Sequence, residues 1–299
     1  MKKVSIAVPF GVALISSFIY GVWNILSYSL VRMLPGNILL TLFLMMGFGA
    51  ILSLVYLIAD SRKNGKLLAI DFMKYPVAGG FFFGLGNIIF FYMIRVDVLP
   101  IVAAIVYSNL IIFSFLLIYD RGSRISFRYV AGTLIVVLGL AIIELLDTGK
   151  IVVDLLMIEQ SILLVILYGL GSYLIYKSSL NNKKAENSIF LSFLTETAVI
   201  GVIILVYGGF QGLKGFSGIY IFEVIITSAV LMLAVILEFK SFNIISQYKT
   251  KFINIINIFL NFETIWVLIF SVLFLSVTSS GLIIGVLITS LGIWTLSAS

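Results

Sequence analysis

Of the 299 residues 62% are hydrophobic and 11% charged, with a mean hydropathy of +1.22, too much apolar surface for a water-soluble domain; the chain reads as a polytopic membrane protein. The net charge of +6 and pI of 9.4 do not indicate a nucleic-acid partner, because the cations are scattered through loops instead of forming a basic patch on a soluble face. The absence of Cys and His excludes disulfides, thiolate chemistry, imidazole proton shuttles and the usual transition-metal ligands, and no metal or other cofactor is expected.

Ten apolar runs follow in order, at 8–31, 37–58, 76–93, 99–118, 127–146, 158–176, 188–207, 220–239, 251–274 and 280–296. Each is about the 20 residues that a helix needs to cross a bilayer core, so ten crossings use on the order of 200 residues. The longest polar interruptions, 59–75 and 147–158, are connectors, and a site must lie among the helices. Met1-Lys2-Lys3 resembles the start of a signal peptide, but the apolar run continues to Val31 and is read as an uncleaved first span. No lipidation pattern is expected at either end.

Cations alternate with the loops. Lys2 and Lys3, then Arg62, Lys63, Lys66 and Lys74, then Arg121, Arg124 and Arg128, then Lys177, Lys183 and Lys184, and last Lys240, Lys249 and Lys251 fall on one side. Arg32, Arg95, Lys150 and Lys214 fall on the other, and this bias predicts both termini in the cytoplasm and a location in the cytoplasmic membrane. The same alternation supports ten spans, since one span more or fewer would scramble it.

Five helices per half place the halves in opposite orientations, which predicts two inverted repeats, 1–148 and 149–299, in one integrated membrane domain. Two internal similarities fall where that division requires. The stretch 130–139 aligns with 283–292, matching Gly132 to Gly285, Leu134 to Leu287, Ile135 to Ile288, Leu138 to Leu291 and Gly139 to Gly292. Ile19-Tyr20-Gly21-Val22 resembles Leu167-Tyr168-Gly169-Leu170.

On the doubled five-helix plan, the Tyr20-Gly21 and Tyr168-Gly169 pairs, the Gly-x6-Gly pattern of helices five and ten and the Arg95-Val-Asp-Val-Leu-Pro100 turn, the chain resembles the drug/metabolite transporter superfamily, in particular its ten-helix EamA-type members. The resemblance spans essentially the whole length. It implies a secondary transporter whose cavity is surrounded by the hairpins of helices three and four and of helices eight and nine. This chain departs from the family pattern in having Leu110 and Glu263 where Pro is usual, and Ser123 and Ser276 where Glu is usual.

Polar side chains at mid-depth are the site candidates, because a polar group in hydrocarbon is costly unless it finds a partner. In helix nine, Thr250, Asn254, Asn257, Asn261 and Thr264 recur at helical spacing on one stripe. They either line a hydrated cavity or hydrogen-bond across helices as structural bridges. Asn87, Tyr107 and Asn109 are the first-half contributions, with Tyr20, Trp23, Trp266 and Trp294 as possible walls. Glu196 and Glu263 are the proton-coupling candidates, each alternatively a hydrogen-bonded structural carboxyl. Glu263 lies nine residues after Asn254, about 180° around the helix, so it faces away from the stripe and need not share its pocket. Glu144, Glu223 and Glu238 are placed near span ends, in contact with water. Gly80-x3-Gly84 and Gly281-x3-Gly285 are read as close helix contacts.

The expected function is alternating-access transport of a small polar or amphipathic organic metabolite, such as an amino acid, with proton coupling at a buried carboxyl. The protein is not expected to be an enzyme. The alternative, a membrane-embedded enzyme or lipid-handling protein, lacks paired intramembrane acids, His and Cys. Partners are the solute and membrane lipid, with a monomer or homodimer as the assembly.

Overall fold

A computed structural model describes residues 7–33, 38–64, 73–148, 155–181, 185–207, 217–245, 256, 259–276 and 279–297, and these are helical apart from short turns. The helices are α1 (Ala7–Met33), α2 (Ile38–Asn64), α3 (Lys74–Val96), α4 (Leu99–Tyr107), α5 (Leu110–Asp120), α6 (Phe127–Thr148), α7 (Leu155–Asn181), α8 (Ala185–Tyr207), α9 (Gly218–Ile245), α10 (Phe262–Leu275) and α11 (Ser280–Ser297). Seven spans are long and apolar enough to cross a membrane, with α4 and α5 counted together as Leu99–Asp120. The other three expected spans correspond to shorter apolar stretches, Phe127–Ile143, Phe262–Leu275 and Ser280–Leu296.

The helices overrun their apolar cores. α7 carries Lys177 on its last turns, and α9 continues past Lys240 to Ile245. A helix extends until its backbone bonds or caps run out, not where hydropathy falls. Ser126, Ser217 and Ser279 accept hydrogen bonds from the backbone N–H groups of Tyr129, Tyr220 and Leu282, capping the starts of α6, α9 and α11.

The fourth expected span is broken. At Ser108 and Asn109 the backbone tightens, with Asn109 N–H donating to Val106 O at 3.0 Å and Ile111 N–H to Ser108 O at 3.0 Å, while the Ser108 hydroxyl donates to Ala104 O at 2.9 Å. Such side-chain bonding back into the preceding turn competes with the helical ladder. A similar turn lies at Asn261, just before α10, where Thr264 N–H donates to Asn261 O at 3.2 Å. α10 ends at Ser276 in the left-handed conformation, φ 55°.

Packing follows a regular scheme. α1 contacts α9 and α10, α3 contacts α7 and α8, α2 contacts α8 and α9, α5 contacts α7, and α6 contacts α11. Exchanging α1, α2, α3, α4–α5 and α6 for α7, α8, α9, α10 and α11 maps this set of contacts onto itself. The α6–α11 crossing is seated on glycines: a Cβ on Gly139 would lie 2.9 Å from Gly285 O, and one on Gly132 would lie 2.9 Å from Gly292 O. In apolar surroundings helices associate through close packing of small residues more than through the hydrophobic effect. Outward faces carry exposed apolar side chains such as Val55, Leu134, Val202 and Leu273, a surface suited to lipid.

Candidate functional site

The glycine pairs of the first half put the site together. A Cβ on Gly80 would meet Ser192 O at 2.5 Å, and one on Gly84 would lie 3.2 Å from Glu196 Cα. The Gly80-x3-Gly84 spacing therefore seats α3 directly on α8 and brings Asn87, one turn further, to Glu196. Gly86 makes room for the ring of Tyr168, 2.7 Å from its would-be Cβ. Gly21 lies against Trp266 of α10, and Gly169 against Ile112 of α5 and the Asn109 carbonyl. In each Tyr-Gly pair the glycine takes up a neighbouring helix while the tyrosine lines a central cavity.

That cavity has a volume of about 160 Å³ and is lined from α1, α3, α4, α5, α7, α8, α9 and α10. Three carboxyls stand around it. Glu196 accepts a hydrogen bond from Asn87 Nδ2 at 3.0 Å and one from the Ser192 hydroxyl at 3.1 Å. Glu263 accepts from Asn24 Nδ2 at 2.5 Å and from the Tyr107 hydroxyl. Glu238 accepts from the Tyr20 hydroxyl at 2.6 Å. The Tyr168 hydroxyl donates to Asn87 Oδ1 at 2.5 Å, so Tyr168, Asn87 and Glu196 form a chain. Buried polar groups are costly without such partners, and here most of the partners cross from one half of the chain to the other.

The two tyrosine bonds correspond. Tyr20 of α1 reaches Glu238 of α9, and Tyr168 of α7 reaches Asn87 of α3. The paired helices are those exchanged by the contact scheme above. The aromatic lining includes Trp23, Phe83, Phe90, Phe113, Phe239 and Phe242, with the Trp23 and Phe90 rings stacked at 5.8 Å. No Lys or Arg is among the described lining residues.

Of the residues expected from sequence, Tyr20, Trp23, Asn87, Tyr107, Asn109, Asn261, Glu196 and Glu263 all line this cavity. Thr250, Asn254 and Asn257 lie outside the described residues, as does the side chain of Glu144. Thr264 is buried but is not a lining residue. Trp266 is also not in the lining; it packs edge-on against Phe18 at 5.3 Å on the side of α10 that meets α1. Trp294 is 59% exposed, away from the cavity.

Two further expectations need correction. Glu263 shares the cavity with Asn261, because the turn at Asn261 interrupts the helix and an angular count across it does not hold. Glu238 is not at a water-exposed span end: α9 continues seven residues beyond it, which carries the carboxyl into the cavity wall. The apolar continuation Phe242-Asn243-Ile244-Ile245 past Lys240 was the available signal. Asn24, Tyr168, Ser172 and Ser192 are further lining residues that composition and depth alone did not single out. For Tyr168 the signal was its repeat equivalence to Tyr20.

No protein-family model and no curated protein matches the sequence. The chain is similar in fold to a solved structure described only as "Crystal structure of protein", with a TM-score of 0.54 and 14% identity over 94% of this chain and 96% of that one. At that identity the likeness concerns the fold alone.

Proposed function

We propose that this protein is a secondary transporter of the drug/metabolite type, which carries a small polar or amphipathic organic solute across the cytoplasmic membrane by alternating access. The single observation that carries the reading is the central cavity, walled by helices of both halves and ringed by carboxyls whose hydrogen-bond donors come mostly from the opposite half. Inverted five-helix repeats, 1–148 and 149–299, account for the contact scheme that maps onto itself and for the two corresponding tyrosine bonds. Repeats of this kind let one half rock against the other around a fixed central site.

The carboxyls supply a means of coupling. Rocking the halves changes which donors reach Glu196 and Glu263, because Asn87 and Asn24 belong to the first half and the acids to the second. A carboxyl that loses its donors takes a proton in their place, so solute movement and proton movement become linked through the same hydrogen bonds.

Reconstitution in proteoliposomes tests this. A carrier gives saturable uptake and counterflow, with external solute accelerating the exit of labelled internal solute. Glu196→Gln is expected to uncouple that flux from an imposed pH gradient. Flux that is linear in concentration and shows no counterflow would exclude a carrier.

A further inference from the structure

The ionisable lining of the cavity is acidic. Glu196, Glu238 and Glu263 face it, the other ionisable groups among the described wall residues are Tyr20, Tyr107 and Tyr168, and no described Lys or Arg contributes. Negative charge withdrawn from water without a compensating cation is strongly unfavourable. A solute bearing a carboxylate would add to any charge there, and a zwitterionic amino acid would place its carboxylate among three acids with no cation among the described wall residues to receive it. A cationic solute supplies the missing charge.

The three carboxyls are not equally available. Glu196 and Glu263 each accept two side-chain hydrogen bonds. Glu238 accepts one, from Tyr20 to its Oε2, which leaves its other oxygen for a guest. Beside it Phe239 and Phe242 of the same helix, with Tyr20 and Trp23 of α1, form an aromatic wall, the surface to which alkylammonium groups are attracted.

One further lining group points to a guest independently of the acids. Trp23 is 6% exposed, and its indole N–H has no hydrogen-bond partner among the described residues. A buried donor of this kind is normally satisfied, and a bound solute with a second polar group that accepts a hydrogen bond satisfies it. Asn109, 7% exposed at the break between α4 and α5, is a polar wall residue of the same cavity. A cavity of about 160 Å³ is comparable to an engineered apolar cavity that holds a single benzene ring.

Taking the carrier reading as its premise, we infer that the transported solute is an amphipathic organic cation: an amine or quaternary ammonium on a compact, single-ring-sized apolar body, with its charged group at Glu238 and its far end toward Asn109. The carboxylate anchors by charge-assisted hydrogen bonding, the aromatic wall holds the body, and a described wall of acids without Lys or Arg disfavours anions.

An isosteric para-hydroxyphenyl series, one ring with a far hydroxyl that can accept a hydrogen bond, tests the inference by isothermal titration calorimetry on the purified full-length protein in detergent at neutral pH. Tyramine is cationic, tyrosol neutral, tyrosine zwitterionic and 4-hydroxyphenylacetate anionic. Tyramine is expected to bind at least about tenfold tighter than tyrosol, the size of effect a single charge-assisted hydrogen bond provides. Tyrosine is expected to be weaker than tyrosol, and 4-hydroxyphenylacetate weakest. Glu238→Gln should bring the tyramine-to-tyrosol ratio to near one. Tyrosine or 4-hydroxyphenylacetate binding as tightly as tyramine, retention of the amine preference in Glu238→Gln, or binding by none of the four overturns the inference. If Glu238→Gln does not fold, displacement of tyramine from the unmodified protein by tetramethylammonium decides instead, and failure to displace overturns it. Proteoliposome counterflow separates the two readings: tyramine binding without counterflow removes the carrier and keeps the cation site, whereas saturable tyrosine counterflow with no amine preference keeps the carrier and removes the cation site.

Discussion

Asn87 does the work of two residues. Its Nδ2 donates to Glu196 and its Oδ1 accepts from Tyr168, so a single carboxamide bridges α8 and α7 from α3. Removing it leaves a hydroxyl without an acceptor and a carboxylate short of one donor, both inside the protein. Each such loss costs about 1–3 kcal/mol, and Asn87→Ala is expected to lower thermal stability in detergent accordingly. The double variant Asn87→Ala with Tyr168→Phe is expected to recover part of the loss, because the orphaned hydroxyl is gone. A double-mutant cycle on the melting transitions measures this, and strict additivity would mean that the chain of hydrogen bonds is not coupled. Asn87 was legible from sequence as a mid-depth polar residue, but its two partners were not, since they stand 81 and 109 residues away along the chain.

Among the elements, the α6–α11 crossing depends on the absence of side chains. A Cβ on Gly139 would lie 2.4 Å from the Thr289 hydroxyl and 2.6 Å from the Thr289 backbone nitrogen. The backbone cannot yield as a flexible side chain would, and overpacking at such a contact costs about 1–3 kcal/mol. Gly11 of α1 has nothing within 4 Å of its would-be Cβ. Gly139→Ala is therefore expected to lower the melting temperature clearly, whereas Gly11→Ala should be neutral or stabilising by up to about 1 kcal/mol through helix propensity. Equal effects of the two would show that the glycines act through propensity and not through the crossing. The Gly-x6-Gly pattern was visible at 132, 139, 285 and 292. Which glycine meets which was not: Gly139 meets Gly285 and Gly132 meets Gly292, whereas the alignment pairs Gly132 with Gly285.

For the molecule as a whole, the loop charges predict an orientation in the membrane, and the cysteine-free chain makes that prediction directly measurable. Ser123, between α5 and α6, and Tyr207, at the end of α8, are both exposed and fall on opposite sides in a ten-span reading. A cysteine at position 207 should react with a membrane-impermeant maleimide on intact cells, and one at position 123 only after permeabilisation. The opposite pattern would invert the orientation, and reaction of both on intact cells would contradict ten spans. On the side of Ser123, Lys177 of α7 pairs with Asp120 of α5 and lies over the Tyr173 ring at 5.6 Å. Tyr173 in turn meets Phe113 of the cavity wall, with ring centroids 6.4 Å apart. The pair is partly exposed, so its contribution to stability is small, but it ties together two helices that both line the cavity.

Sequence by itself determined the all-helical class, the order and approximate positions of the apolar helices, and eight of the residues that line the cavity. These follow from local requirements: a crossing helix needs about 20 apolar residues, and a polar residue within one is costly and so conspicuous. Only the tertiary structure decided that Glu238 enters the cavity, that Asn109 and Asn261 mark breaks, that Glu263 and Asn261 share one space, and that Trp266 stays outside it. The physical reason is that the partner of a polar side chain depends on which helices cross, and crossings are set by close packing at Gly80, Gly84, Gly139 and Gly285. That information belongs to pairs of positions far apart in the chain, not to either position alone.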